Sequence, residues 1–171
     1  GVLAFRGMVT GDASRDTGIW SGATSGLELV AREGSSAPGT GAAFGQFSPD
    51  INLVLNPSGQ LAFLASLTGT GVTTSNDLGL FATNPLGDLK LVAREGDSYF
   101  VADGDYRTIS NILLNTDSFA TGDGFGKLIY VVQFNDDSSG VFTQLVPEPS
   151  AAVLFLVGTV LLARRGRGGR G

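Results

Sequence analysis

An all-β fold of antiparallel, β-propeller-like repeats is the architecture this sequence predicts, and three observations predict it. The hexapeptide Leu29-Val30-Ala31-Arg32-Glu33-Gly34 returns unchanged as Leu91-Val92-Ala93-Arg94-Glu95-Gly96. A glycine followed by an aliphatic and an aromatic residue recurs as Gly18-Ile19-Trp20, Gly79-Leu80-Phe81 and Gly140-Val141-Phe142, 61 residues apart each time. The intervening segments alternate or run apolar over short stretches between glycine-rich turns, which is the pattern of strands rather than of helices. A fixed step on this scale marks a repeat architecture, in which each unit buries its apolar face on its neighbours.

The elements follow in order. A first strand opens each unit: Gly1-Val2-Leu3-Ala4-Phe5, then Gly59-Gln60-Leu61-Ala62-Phe63, then the degenerate Gly126-Lys127-Leu128-Ile129-Tyr130. One module is thus present about two and a half times, as units 1–58, 59–125 and a partial third at 126–145. Residues 61–67 form a nearly continuous apolar run and predict a strand buried on both faces. Residues 27–32 and 89–94 alternate, which places Leu27, Leu29 and Ala31 on one face and Glu28, Val30 and Arg32 on the other. Leu27, Leu29, Leu89 and Leu91 are accordingly expected at equivalent buried positions. Residues 51–55 and 112–114 supply a further short strand. Asn56-Pro57-Ser58-Gly59 reads as a turn, because proline fixes one dihedral and glycine permits a positive one. Four short strands per unit and no capped helix fit the blade of a propeller. A stacked β-solenoid or an irregular sandwich would show similar strands, and two and a half blades cannot close a ring. The expectation is therefore a fragment of a longer product.

Composition excludes much chemistry. The 171 residues contain neither Cys nor His, so there is no thiol nucleophile, disulfide, imidazole base or His/Cys metal ligand. With 42% hydrophobic and 16% charged residues the chain can build a core and is not of the disordered class. The net charge of −5 is uneven: residues 1–146 hold 7 basic and 15 acidic side chains, a balance of −8, while Arg164, Arg165, Arg167 and Arg170 crowd the last eight positions. An acidic body repels phosphate backbones, so no nucleic-acid partner is expected. No charged segment followed by an apolar one opens the chain at Gly1, and an export signal is expected upstream.

The tail is read on physical grounds first. Residues 151–163 carry no charge, and as a helix they would span roughly 20 Å at about 1.5 Å per residue. That is short for a hydrocarbon core of about 30 Å, so a transmembrane helix here needs local thinning and snorkelling arginines. The four arginines then stay cytoplasmic and the body lies on the far side. Pro147 and Pro149 lack amide hydrogens and restrain their neighbours to extended geometry, which holds Glu148 in a strip that a processing enzyme can accept. A rigid linker before an unprocessed anchor is the plainer alternative.

Two resemblances rest on these residues. The order Pro147-Glu148-Pro149, apolar stretch, then Arg164, Arg165, Arg167 and Arg170 resembles the PEP-CTERM sorting signal, which implies an exosortase as processing partner and membrane lipid as a transient one. Asn56, Gly59, Ala62 and Phe63 fit NxxGxxAF and resemble the choice-of-anchor tandem-repeat proteins, bacterial surface proteins of unknown biochemical role. The third unit departs from that motif, with Asp123 for Asn and Ile129-Tyr130 for Ala-Phe. The resemblances imply a cell-envelope protein, periplasmic or extracellular after sorting, with a matrix or surface role and no reaction.

Candidate sites in the body are few. Asp12, Asp16, Asp97, Asp103, Asp105, Asp123 and the run Asn135-Asp136-Asp137 could supply calcium oxygens, but none has EF-hand spacing, and turn formation is the reading preferred. No metal and no cofactor is expected. An extracellular polysaccharide-acting enzyme would need two facing carboxylates, and the chain has only four Glu, one of them inside the sorting motif. Arg32-Glu33 and Arg94-Glu95 are read as solvated strand ends. Trp20, Phe81 and Phe142 are read as core aromatics, a carbohydrate-stacking platform being the alternative. Gly122-Asp123-Gly124-Phe125-Gly126 follows no strand-then-helix pattern and is not a phosphate loop.

Overall fold

A computed structural model describes residues 1–145 apart from Ser14, Thr24, Ser25, Pro85 and residues 120–126. The described residues are all-β. A first sheet joins β1 (Val2–Met8), β2 (Thr17–Ala23) and β3 (Gly26–Arg32) in that order. A second places β4 (Ala43–Phe44) and β5 (Leu53–Leu55) beside β6 (Leu61–Thr68), followed by β7 (Leu78–Thr83) and β8 (Leu89–Arg94). A third joins β12 (Ser139–Leu145), β11 (Lys127–Phe134), β10 (Asp105–Leu113) and β9 (Ser98–Ala102). Neighbouring strands pair antiparallel throughout. Among the described residues no helix is long and apolar enough to cross a membrane. The sorting motif, the segment 151–163 expected as a membrane helix, the terminal arginines and the glycine-rich residues 122–126 lie outside the described residues.

The repeat appears in the strand register. Phe5 pairs with Trp20, Phe63 with Phe81, and Tyr130 with Phe142. The recurring glycine has one cause in all three places. A Cβ on Gly18 would stand 2.9 Å from the Trp20 ring, one on Gly79 2.7 Å from Phe81, and one on Gly140 2.8 Å from Phe142. The aromatic ring folds back over the glycine two residues earlier, and any larger residue would displace it. Sheets counted in space are offset from units counted along the chain, because β4 and β5 join the strands that follow them.

The second sheet is covered on both sides. One face places Leu61, Phe63, Ala65, Leu67 and Phe81 against Ile19 and Ala31 of the first sheet and against Phe44 and Phe47. The other places Ala62, Leu80, Ala82 and Ala93 against Ile109, Ile112, Leu128, Tyr130 and Val132 of the third. The two-sided burial read from residues 61–67 holds for β6, where Leu61, Ala62 and Phe63 are wholly buried. The burial expected for Leu27 and Leu29 does not hold, since they are 50% and 49% exposed. Leu89 and Leu91 are half-buried. Two causes separate these pairs. A register shift after Ile19 pairs Ala31 with Ile19 but Leu29 with Trp20, leaving Val30 as the extra residue of a β-bulge. Leu29 and Ala31 therefore face opposite sides, and strict alternation fails. The same shift recurs at Val92, where Ala93 pairs with Leu80 and Leu91 with Phe81. The second cause is that the face bearing Leu27 and Leu29 has no sheet upon it among the described residues.

Candidate functional site

The tandem-repeat motif builds a closed turn between β5 and β6. Asn56 donates from Nδ2 to Gln60 Oε1 at 2.7 Å, and its Oδ1 accepts the Gln60 backbone N–H at 2.8 Å. Backbone bonds from Asn56 N to Gln60 O and from Gly59 N to Asn56 O, both 3.0 Å, complete it. Gly59 sits at φ +88°, which L side chains rarely adopt, and a Cβ there would also meet Val2. Ala62 and Phe63 point to opposite faces of β6 and are fully buried, one toward each neighbouring sheet. An asparagine is needed because its amide both donates and accepts, which Asp cannot do when ionised. The motif residues thus make the fold and leave little free for a ligand.

Two grooves open beside this turn. One, of about 460 Å³, lies between the first and second sheets and is lined by Ser21, Glu28, Val30, Gln60, Thr83 and Asn84 among others. The other, of about 640 Å³, is lined by residues including Val2, Val54, Asn56, Pro57, Asp117 and Phe119. Gln60 is 1% exposed, and its Nε2 has no hydrogen-bond partner among the described residues. Thr83 fills the end of the ladder, its Oγ1 accepting the Leu61 N–H at 2.8 Å. The smaller groove offers hydroxyls, amides and one carboxylate. That set can hydrogen-bond a polar, uncharged molecule.

The repeated hexapeptide also performs a repeated task. Arg32 Nε donates to Arg15 O and Arg94 Nε to Asn76 O, each at 2.9 Å, so the arginine pins the loop that leads into the strand it pairs with, β2 or β7. Arg94 further donates to Thr40 O at 3.2 Å. The reading of solvated strand ends is corrected at Glu33, which is 8% exposed and accepts from Thr17 N at 3.2 Å and Thr17 Oγ1 at 2.7 Å. Thr17 in turn accepts the Phe47 N–H at 3.1 Å. At the equivalent place in the second unit stands Leu78, so Glu95 has no hydroxyl donor there. Burial raises the Glu95 carboxyl above its ordinary value, and the charge of the neighbouring Asp77 and a hydrogen bond with it add to the rise. Two carboxyls in direct contact are not the arrangement for glycoside hydrolysis, which sets them on opposite sides of a sugar.

Two of the loop aspartates, Asp105 and Asp136, share an arginine, whereas Asp16 Oδ1 is buried with no hydrogen-bond partner among the described residues. Arg107 pairs with Asp105 at 2.6 Å and with Asp136 at 3.4 Å. The hydrogen bond from Arg107 holds the Asp105 carboxyl below its usual range, and those from Ser138 do the same for Asp136. Asp137 takes φ 64° in the turn joining β11 to β12. Among the described residues no group of three or more Asp, Glu, His or Cys is placed to hold a metal ion.

Residues 1–153 match a protein family described only as a family of unknown function, DUF7453. The chain belongs to the DUF7453 family. No curated protein and no solved structure matches it. The DUF7453 match takes in every described strand and also Pro147, Glu148 and Pro149.

Within this DUF7453 chain the three equivalent aromatics differ. Phe81 is wholly buried and Phe142 is half-buried against Tyr99, with ring centroids 4.8 Å apart. Trp20 is also half-buried but stacks on Phe5 at 5.9 Å on the outer face of the first sheet. Sequence reasoning missed Gln60, Thr17 and the Tyr99–Tyr130 pair, whose hydroxyls lie 2.7 Å apart. Burial pushes the Tyr130 hydroxyl well above its ordinary value, and the bond with Tyr99 adds to the shift. Gln60 follows the motif glycine directly, and that adjacency was the one available signal. The Thr17 and Tyr99 partners lie 16 and 31 residues away, beyond any local pattern.

Proposed function

We propose that this chain is an exported, envelope-sorted repeat protein whose β-propeller-like units act as a non-catalytic binding or structural module at the cell surface or in the extracellular matrix, and whose C terminus is processed by an exosortase. The observation that carries the proposal is the ordered tail: Pro147-Glu148-Pro149, an uncharged stretch at 151–163, then Arg164, Arg165, Arg167 and Arg170. The positive end favours a cytoplasmic tail and places the body across the membrane.

The body supports a non-catalytic reading. Asn56 and Gly59 build a turn, Arg32 and Arg94 anchor loops, and Phe63 and Phe81 pack in the core. Successive sheets stacked face to face, each pair repeating the previous contact, support propeller-like blades. The groove beside Gln60 supports a neutral polyhydroxylated ligand, and extracellular polysaccharide is the class that fits both the groove and the location. An acidic body is unsuited to nucleic acid.

Mass spectrometry of the mature C terminus, in a host that processes such signals, tests the sorting half. Cleavage near Pro147 to Pro149 is expected, with Glu148→Ala blocking it. An intact Gly171 in the wild-type protein would leave a plain membrane anchor. Turnover of a glycan panel by the purified protein would overturn the non-catalytic half.

A further inference from the structure

The Pro-Glu-Pro motif begins directly beyond the last strand of the third sheet. β12 ends at Leu145, and Pro147 follows two residues later. An extended chain covers at most about 3.6 Å per residue, so Glu148 lies within about 11 Å of the end of β12. The register sets Leu145 against Lys127, Gln144 against Leu128 and Thr143 against Ile129. The residues just before the motif are therefore already engaged as a strand in the folded chain.

This end of β12 is held by its ladder more than by packing. Phe142 is packed, its ring standing 4.8 Å from that of Tyr99 and 6.0 Å from that of Phe134. Past it Thr143 is exposed and Gln144 half-buried. Ile129 sends its N–H away from β12, to Ser118 O at 2.6 Å. Ile129 and Thr143 are accordingly a non-hydrogen-bonded pair, and the ladder bonds here fall to Leu128 and Gln144. Among the described residues β12 has a strand on one side alone. A terminal segment with little buried surface and a one-sided ladder opens at far lower cost than the core strands do.

An enzyme that takes a chain as an added strand uses the backbone groups of the residues that flank the cut bond. Upstream of Pro147 these include Gln144, whose groups are engaged with β11. We infer that, given the exosortase processing proposed above, Thr143, Gln144 and Leu145 detach from β11 before the chain is cut, so that the last turn of the ladder in the third sheet sets the rate of processing. Cleavage then follows the small population in which the end of β12 is open, as it does for any folded chain that recloses quickly.

The chain contains no cysteine, so an engineered pair can pin the strand without competing thiols. Ile129→Cys combined with Thr143→Cys suits a disulfide, because the Cα atoms of a non-hydrogen-bonded pair stand about 4.5 Å apart, within the span of that bond. Full-length chains are expressed in a host that processes such signals, and the C terminus is followed by mass spectrometry in isolated membranes with and without dithiothreitol. The pinned chain should be processed at least about tenfold more slowly than wild type, with reduction restoring the rate. Gln144→Pro, which removes a ladder donor, should speed processing. About ten Gly and Ser residues inserted after Val146 should free the pinned chain from its block, because the enzyme then meets flexible chain upstream of the motif.

Three results would overturn the inference and leave the sorting reading standing. Processing of the pinned chain at the wild-type rate would mean that the enzyme takes the motif with β12 in place. A block that survives the insertion would mean that the cross-link acts elsewhere in the fold. Equal rates for Gln144→Pro and wild type would mean that opening of β12 does not limit the cut. A wild-type chain that is never cut is a separate outcome, and it removes the sorting reading and this inference together.

Discussion

The first and second sheets are written from one template and experience different surroundings. Phe5 and Phe63 occupy the same register position, yet one is 38% exposed and the other wholly buried. Glu33 and Glu95 hold the same position in identical hexapeptides. Glu33 is buried and satisfied by a threonine, whereas Glu95 rests beside an aspartate with a leucine where the threonine would be. The difference teaches that the repeat specifies strands, bulges and which residues share a face, while the next sheet in the stack sets what each face is worth.

The largest expected effect tests that statement directly. Phe63→Ala should cost about 3–5 kcal/mol, as core aromatic truncations do, whereas Phe5→Ala should cost under about 1.5 kcal/mol because its ring already meets solvent. Urea denaturation of the two variants measures the gap, and equal losses would break the comparison. Gly79→Ala comes next. Its methyl would enter the Phe81 ring in a fully packed layer and should cost about 1–3 kcal/mol. Gly18→Ala should cost a comparable amount, since Trp20 borders solvent and can swing aside but the new methyl would also stand 3.1 Å from the Ala31 backbone oxygen. Thermal melts of the pair sharpen the comparison.

A smaller effect belongs to the two glutamates. Thr17→Val removes the hydroxyl that donates to Glu33 Oε2 and accepts from Phe47 N–H, leaving only the Thr17 N–H on the carboxylate, and should cost about 1–3 kcal/mol. The smallest effect is at Glu95, and its sign is opposite. A carboxyl raised in the folded state favours folding when protonated. Its contribution is present below the unfolded value of about 4.3 and is lost as pH rises through the raised folded value. Glu95→Gln should therefore raise the melting temperature slightly at neutral pH. The gain should fade in acid and shrink with salt, because the group is largely solvent-screened. A gain that is independent of pH would remove the electrostatic account.

Much of the candidate site was legible in advance. The Asn56-to-Gly59 turn follows from proline and glycine chemistry alone, and the two-sided burial of the first half of β6 from its nearly continuous apolar run. Gln60 was not legible, since glutamine is an ordinary surface residue and only the folded turn shuts it in. Nor was the buried state of Glu33, which needs Thr17 and Phe47 brought to it by two separate loops.

By itself the sequence determined the all-β class, the 61-residue step, the strand segments and the recurrence of glycine two residues before each aromatic. These depend on side-chain period and backbone sterics within a few residues, and such information is local. Only the tertiary structure decided that Val30 and Val92 bulge, which turns Leu29 and Ala31 to opposite faces, and that Leu91 is covered where Leu29 is open. A bulge exists only against a partner strand, and burial exists only against a neighbouring sheet. Both are relations between distant segments, and an identical hexapeptide can therefore have two different surroundings in one chain.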